Sequence, residues 1–539
     1  MSTKHTDAKN NGKKFFSGVA VLAISTFIVK IIGLLYKIPI MAHLGAEGMG
    51  YFNSAYEIYS LFFVIATAGI PVAISILISE NKVKNATQNI NKIFIASTCV
   101  LGGIGLIGTI ILSVFHKQLA ILIHNNAAEY CLLAISPTVL MICISSAIRG
   151  YFQGNQIMTP TAISQIIEAL GKLILGLSFA IYAIKEGFSI AESAAFAVLG
   201  LTVGVGISLI YLIICKLLHK DNSHSFSAKT ETTGTIIKKL FTIAIPITLS
   251  STILSLTKLI DMTMILSRLN SIGYSQETAN AIYGSYSTMA VSIFNLPATL
   301  VTAIALPLVP TLASAIEEKN KIGERETIAS AFKMTALITF PAGLGIAVFS
   351  KPILQLIFSN QHKEIEYTAP LLSLLGLSVF LSSMITVTNA ILQSYKQLKT
   401  PIISMIIATL VKLAAAFILI GIPKINIYGA PISTFFSTLT IVAINLYFVH
   451  KYSNGFGSIK NLFIKPFIAS IISITIGVAI YMLSVHFCPS KLILLITILI
   501  VLIVYLIFTF LLKAITEDDI LMMPKGEKII KKLKKYKII

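Results

Sequence analysis

Ionisable side chains set inside long apolar runs are the residues of this chain whose chemistry asks for an explanation. Lys30 and Lys37 interrupt the first apolar block, Glu57 the second and Glu168 and Lys172 the fifth. Lys258 and Asp261 interrupt the seventh and Lys412 the eleventh. A charge at the bilayer centre costs at least ~2.5–3.5 kcal/mol on insertion scales. Such residues therefore line a water-filled cavity, pair with one another or snorkel to an interface. Lys30 and Lys258 lie deepest and occupy equivalent places in the two halves of the chain, so both are expected to line one cavity. A cavity with more lysine than acid suits an anion, and lysine is an ordinary phosphate partner. Lys37 joins that anion-binding set, while Lys172 and Lys412 form a secondary, repeat-related pair. Asp261, Glu57 and Glu168 either hold the lysines in the empty site as ion-pair partners or take up a proton or Na⁺ during a cycle.

The elements that must position these residues are membrane helices. The 539 residues are 55% apolar and 12% charged, with a mean hydropathy of +0.86, against about 25% charged residues in soluble domains. The apolar residues come in blocks of about 20, the length that crosses a ~30 Å hydrocarbon core as a helix. Fourteen spans are legible, at about 15–42, 51–79, 93–114, 127–148, 161–183, 191–215, 238–266, 280–312, 330–350, 368–392, 402–421, 428–450, 463–486 and 490–512. The chain thus reads as an all-α polytopic membrane protein. A secreted enzyme, a nucleic-acid-binding module and a one-anchor protein are excluded.

The net charge of +20 follows the same layout. Sorting Lys and Arg by alternating loops places thirty on the side of the termini and seven on the other, with five inside spans. Positive charge marks the cytoplasmic side, so both termini are expected there. The basic tail, Lys525 to Lys537, then faces anionic inner-leaflet lipids and not nucleic acid.

The chain also repeats. Gln153…Thr159-Pro160…Ser164…Lys172 returns as Gln393…Thr400-Pro401…Ser404…Lys412, about 240 residues later. Ala68-Gly69-Ile70-Pro71 is answered by Phe294-Asn295-Leu296-Pro297, and Lys30 by Lys258. Spans one to six and seven to twelve thus read as two copies of equal orientation, a transporter architecture. The expected organisation is a tail (1–14), an N-lobe (15–215), a linker (216–237), a C-lobe (238–450), two further helices (451–512) and a basic tail (513–539).

Other motifs carry little chemistry. Gly103-Ile104-Gly105-Leu106-Ile107-Gly108 matches a dinucleotide fingerprint in letters, but it sits inside span three with no strand before it. Close helix packing explains it, and Gly200…Gly204 likewise. The five cysteines have no ligand-like spacing and read as buried structural thiols. Asn85-Ala86-Thr87 is a chance glycosylation match. No Walker sequence or zinc cluster is seen, so no cofactor or metal is expected, and the drive would be membrane potential, H⁺ or Na⁺.

Several stretches resemble the stage V sporulation protein B group of bacterial polysaccharide transporters. They are Lys30-Ile31-Ile32-Gly33…Pro39, His43-Leu44-Gly45-Ala46-Glu47-Gly48-Met49-Gly50-Tyr51 and Ala68-Gly69-Ile70-Pro71-Val72-Ala73-Ile74-Ser75. In the second half they are Lys258-Leu259-Ile260-Asp261, Tyr283-Gly284, Asn295-Leu296-Pro297-Ala298 and Leu308-Val309-Pro310. That group belongs to the multidrug/oligosaccharidyl-lipid/polysaccharide exporter superfamily and is related to the MurJ-type lipid II flippases. The resemblance implies two six-helix lobes in a V around a central cavity, with alternating access. The substrate it implies is a polyprenyl pyrophosphate carrying a peptidoglycan precursor, for cell wall or spore cortex. Lys30 takes the place of a cavity arginine of those relatives, and the next arginine falls nearest Tyr36 and Lys37. Spans thirteen and fourteen would form a groove for the lipid tail, and cell-wall synthesis enzymes would be neighbours. The alternatives are a flippase for another lipid-linked polysaccharide, a cation-coupled multidrug exporter and a membrane enzyme that polymerises lipid-linked sugars.

Overall fold

The computed structural model describes residues 2–84, 86–219, 231–453, 455, 457–487 and 491–515. Asn85, most of the linker (220–230), Cys488 and the tail from residue 516, with Lys525 to Lys537, lie outside the described residues, as do the side chains of the N-terminal tail (1–14). Among the described residues every regular element is helical. They form two compact units, Met1–Thr288 and Met289–Ile539.

The first unit holds α1 (Ser2–Thr67), α2 (Ile70–Val83), α3 (Thr87–Val114), α4 (His116–Leu122) and α5 (Glu129–Gly154). It continues with α6 (Thr159–Gly171), α7 (Leu177–Lys185), α8 (Ile190–Leu218), α9 (Thr233–Ser271) and α10 (Gln276–Ser285). The second holds α11 (Val291–Glu317), α12 (Lys321–Val348), α13 (Ser350–Ile357) and α14 (His362–Ser394). After these come α15 (Lys399–Ile420), α16 (Gly429–Tyr452), α17 (Lys465–Phe487) and α18 (Lys491–Leu511). Helix α9, which the repeat counts with the second copy, packs on α1, α2 and α3, so the compact unit runs beyond the linker.

Thirteen described segments are long and apolar enough to cross a membrane. The first, Ile24–Lys82, has 59 residues. At 1.5 Å per residue it spans roughly 90 Å, far more than one crossing needs. It holds two crossings, because α1 breaks at Gly45 (φ 69°, ψ −177°). A side chain there would be strained, so the break falls at the glycine while Pro39 sits inside continuous helix. The fourteen spans of the sequence are therefore all present, with edges moved by a few residues.

The repeat is visible in the backbone of each unit. Helix α3 ends at Phe115 and restarts as short α4, and α12 ends at Phe349 and restarts as short α13. Gln156 (φ 63°) and Lys396 (φ 59°) adopt the same left-handed turn, 240 residues apart. The closing bonds match too. Gln156 N donates to Gln153 O and Ile157 N to Phe152 O, both at 2.9 Å; Lys396 N to Gln393 O and Gln397 N to Leu392 O repeat this at 2.9 Å.

Lipid is as apolar as leucine, so helix association relies on close packing and polar contacts. In the first unit the span of α6 and α7 lies on α8 through glycines. A Cβ on Gly171 would sit 2.5 Å from Gly204 Cα, and one on Gly200 would sit 2.2 Å from Gly176 N. Gly105 and Gly108 of the fingerprint-like run press α3 onto α5, where a Cβ would meet Cys143 and Val139 at 2.9 Å. Cys131 and Cys143 are buried, whereas Cys99 is exposed and Cys215 half-buried, so the expectation of buried thiols holds for two of these four. In the second unit α11, α12, α14 and α16 share one core containing Leu312, Phe332, Val387, Ile391 and Val449. The two helices beyond the repeat join it through α12: Phe349, Ile474 and Leu494 cluster, and Tyr505 Oη donates to Leu337 O at 2.8 Å.

Candidate functional site

The first unit encloses a cavity of about 470 Å³ whose polar wall includes Lys30, Arg149, Gln165, Glu168 and Lys172. Helix α6 supplies one side of it. Ser164, Glu168 and Lys172 recur every four residues, a spacing that keeps them on one helical face. At Lys172 the helix widens into a five-residue π-helical segment, Lys172–Gly176, before α7 resumes.

Arg149 is the residue that the sequence reading missed. Span four as read from hydropathy ends at 148, but α5 continues to Gly154 and carries Arg149 into the unit, where it is 5% exposed. Its Nε donates to Ser164 Oγ at 3.0 Å, and its Nη2 to Glu168 Oε2 at 3.1 Å and to Ser208 Oγ at 3.5 Å. Ser208 Oγ in turn donates to Ser164 O at 2.8 Å. One guanidinium thus ties α5, α6 and α8 together, and Glu168 serves as its ion-pair partner. Desolvating such a pair costs about as much as the attraction returns, but removing one member leaves a buried charge alone, at about 3–5 kcal/mol. The only available sequence signal was an Arg with a Glu nineteen positions on, in a chain that has few arginines.

The opposite wall comes from the second half of α1. Phe52, Tyr56, Tyr59 and Phe63 form a ladder of rings with centroids 6.1, 5.7 and 5.8 Å apart, and Tyr36 adds a ring 5.9 Å from Phe52. Tyr56, Tyr59 and Phe63 line the cavity. Lys172 Nζ sits over three of these rings, 4.3 Å from the centroid of Tyr56, 5.0 Å from Tyr36 and 5.3 Å from Phe52.

The remaining sequence candidates divide into two groups. Lys30 and Lys258 are exposed, and Lys258 lies close enough to repel both Lys30 and the half-buried Lys37. Glu57 is near enough to Lys37 to attract it, and both Glu57 and Asp261 act on buried Tyr283. The first unit therefore gathers Lys30, Lys37, Glu57, Lys258 and Asp261 in one electrostatic neighbourhood, of which Lys30 alone borders the 470 Å³ cavity. Lys412 belongs to the second unit, half-buried on α15. No group of three or more metal-ligating side chains occurs among the described residues.

The second unit places a neutral cluster at the repeat-equivalent position. Asn445 Nδ2 donates to Asn389 Oδ1 at 2.8 Å and to Thr388 Oγ1 at 3.0 Å, and Ser404 Oγ donates to Asn445 Oδ1 at 2.9 Å. These residues tie α14, α15 and α16.

Comparison with known proteins agrees with this architecture. Residues 15–316 match the polysaccharide biosynthesis protein family, and residues 246–418 match the MatE family. The lipid II flippase MurJ of Bacillus subtilis is 26% identical over 484 residues, 87% of this chain and 88% of the relative. Stage V sporulation protein B of the same organism is 26% identical over 432 residues, 78% and 80% of the two chains. Among solved structures, the lipid II flippase MurJ in an inward closed conformation superposes with a TM-score of 0.69 at 18% identity, covering 91% of this chain and 98% of that one. With more than half of its length matched, this multi-pass membrane protein belongs to the polysaccharide biosynthesis protein family, and it has the fold of the multidrug/oligosaccharidyl-lipid/polysaccharide exporter superfamily.

Proposed function

We propose that the protein is a flippase that carries a polyprenyl-diphosphate-linked peptidoglycan precursor of the lipid II type from the inner to the outer leaflet. The observation that carries this reading is the excess of cations at the cavity of the first unit, where Lys30, Arg149 and Lys172 face the single carboxylate of Glu168. Relatives named as lipid II flippases support the substrate class. A diphosphate headgroup cannot cross hydrocarbon unaided, whereas its isoprenoid chain can stay in lipid. Lys30 holds the diphosphate at the cavity, Lys37 and Lys258 add positive charge beside it, and the headgroup is exposed to each side in turn by alternating access. An organic-cation exporter would need the opposite excess of charge in the cavity.

Orientation follows from the charge split. With Arg149 moved inside the unit, the loops divide twenty-nine to seven, and both termini face the cytoplasm. The anionic substrate then moves outward with the membrane potential, at about 2.3 kcal/mol per charge per 100 mV. Asp261 takes up a cation during the return step. Asp261→Asn is expected to flatten the dependence of transport on pH or Na⁺, and an unchanged profile makes Asp261 a partner of the lysines only.

The substrate is tested by binding of purified full-length protein to lipid II, undecaprenyl monophosphate and an organic-cation drug. Selective binding of lipid II that weakens in Lys30→Ala is expected. Preference for the drug overturns the reading in favour of cation export. Binding to none of the three redirects it to a different lipid-linked polysaccharide.

A further inference from the structure

The Lys172 ammonium has three hydrogen-bond donors, yet ring faces surround it, with Glu168 attracting it from one turn earlier on the same helix. Tyr56, Tyr36 and Phe52 surround it at 4.3, 5.0 and 5.3 Å. The box is built with care for space. Tyr36 and Phe52 are each 1% exposed, and a Cβ on Gly176 would fall 3.0 Å from Tyr36 Oη, so a glycine at the end of the π-helical segment leaves room for that ring. Rings attract an ammonium through their faces but fill none of its donor positions as an oxygen does. A phosphate oxygen would make a short, charge-assisted bond to the same nitrogen. Lys172 also borders the cavity that Lys30 borders, whereas the third cation there, Arg149, is already matched by Glu168. The π-helical segment that begins at Lys172 is a type of irregularity often found at functional sites.

We propose that Lys172 is a parked cation, held by the Tyr36–Phe52–Tyr56 box in the empty site and transferred to the second phosphate of a lipid-linked diphosphate while Lys30 holds the first. On this basis the cavity counts phosphates and prefers a polyprenyl diphosphate to the corresponding monophosphate. The inference rests on the anion-carrying reading of the cavity and deepens it by naming the residue that sets headgroup selectivity. The carboxylate nearby, Glu168, also attracts Lys172 but is bonded to Arg149, so the rings hold the ammonium without a direct ion pair of its own.

The test measures binding of full-length protein to undecaprenyl diphosphate and undecaprenyl monophosphate by native mass spectrometry. The wild type is expected to favour the diphosphate, and Lys172→Gln is expected to lose about tenfold in diphosphate affinity with little change for the monophosphate. Phe52→Leu removes one ring of the box without altering the cavity wall, so diphosphate binding is expected to tighten by about two- to threefold. The double variant should behave as Lys172→Gln. Opposite signs for the two single variants separate the proposal from general damage to the fold. An unchanged diphosphate-to-monophosphate ratio in Lys172→Gln overturns it, as does weakened diphosphate binding in Phe52→Leu. A wild type without preference for the diphosphate overturns the substrate reading and this inference together, whereas a wild-type preference that survives in Lys172→Gln overturns only the inference.

Discussion

Arg149 and Asn389 stand 240 residues apart at the same place in the two repeats, as do Ser164 and Ser404, and Glu168 and Ala408. In the first unit the three positions hold a guanidinium, a hydroxyl and a carboxylate that join α5, α6 and α8. In the second they hold an amide, a hydroxyl and a methyl group, and Asn445 completes the tie between α14, α15 and α16. The repeat thus keeps the place of a polar knot, which a helix bundle in lipid uses as glue. Its electrical character differs. Ala408, Ser404 and Asn445 are fully buried and neutral, while the charged version shares a cavity wall with Lys30 and Lys172. A neutral knot costs little to maintain in a bilayer. A charged one is justified where the same helices must also hold an anion, and this locates specialisation in the first unit.

The largest effect expected from this contrast is at Arg149. Arg149→Leu leaves the part-buried carboxylate of Glu168 without its partner and should cost about 3 kcal/mol of stability, read as a lowered midpoint of thermal unfolding in detergent. Adding Glu168→Leu should restore most of the loss, because the paired replacement removes both charges. If the double variant is as unstable as the single one, the knot is not held by its ion pair. Next in size is Lys30→Ala, which should reduce transport by about 10- to 100-fold through loss of a charged contact to the substrate while membrane insertion and thermal stability stay normal. Transport at the wild-type rate would remove Lys30 from the site. The smallest effect belongs to the neutral knot. Asn389→Ala should lower stability by about 1 kcal/mol and leave substrate binding unchanged, and a binding defect as large as that of Lys30→Ala would mean that both units share the function.

Much of the architecture was legible beforehand because bilayer physics writes it into local composition. Fourteen apolar blocks, the polar landmarks that recur at about 240 residues and the deep lysines can all be read one segment at a time. The boundary of span four was less legible. Arg149 lies five residues short of Gly154, the end of its helix, and hydropathy alone ends the span just before a charge whether or not that charge is satisfied inside the protein. The break in α1 was legible only as a gap: the spans leave 43–50 between them, and the positive φ of Gly45 fixes where in that gap the helix turns.

The sequence by itself determined that the chain crosses the membrane many times, that it is a duplicated unit with two added helices, and that lysines inside the spans would have to be accommodated. These are consequences of transfer free energies and periodicity, which act on neighbouring residues. Only the tertiary structure decided which of those charges meet. Arg149 reaches Glu168 across 19 residues of chain, and Lys172 reaches rings of α1 that precede it by more than a hundred positions. Those encounters depend on how closely α6 and α7 can approach α8 and α1, which the glycines at 171, 176, 200 and 204 set through the space they leave. Electrostatic and cation–ring energies change over a few ångströms, and distances of that order exist only once the helices have packed.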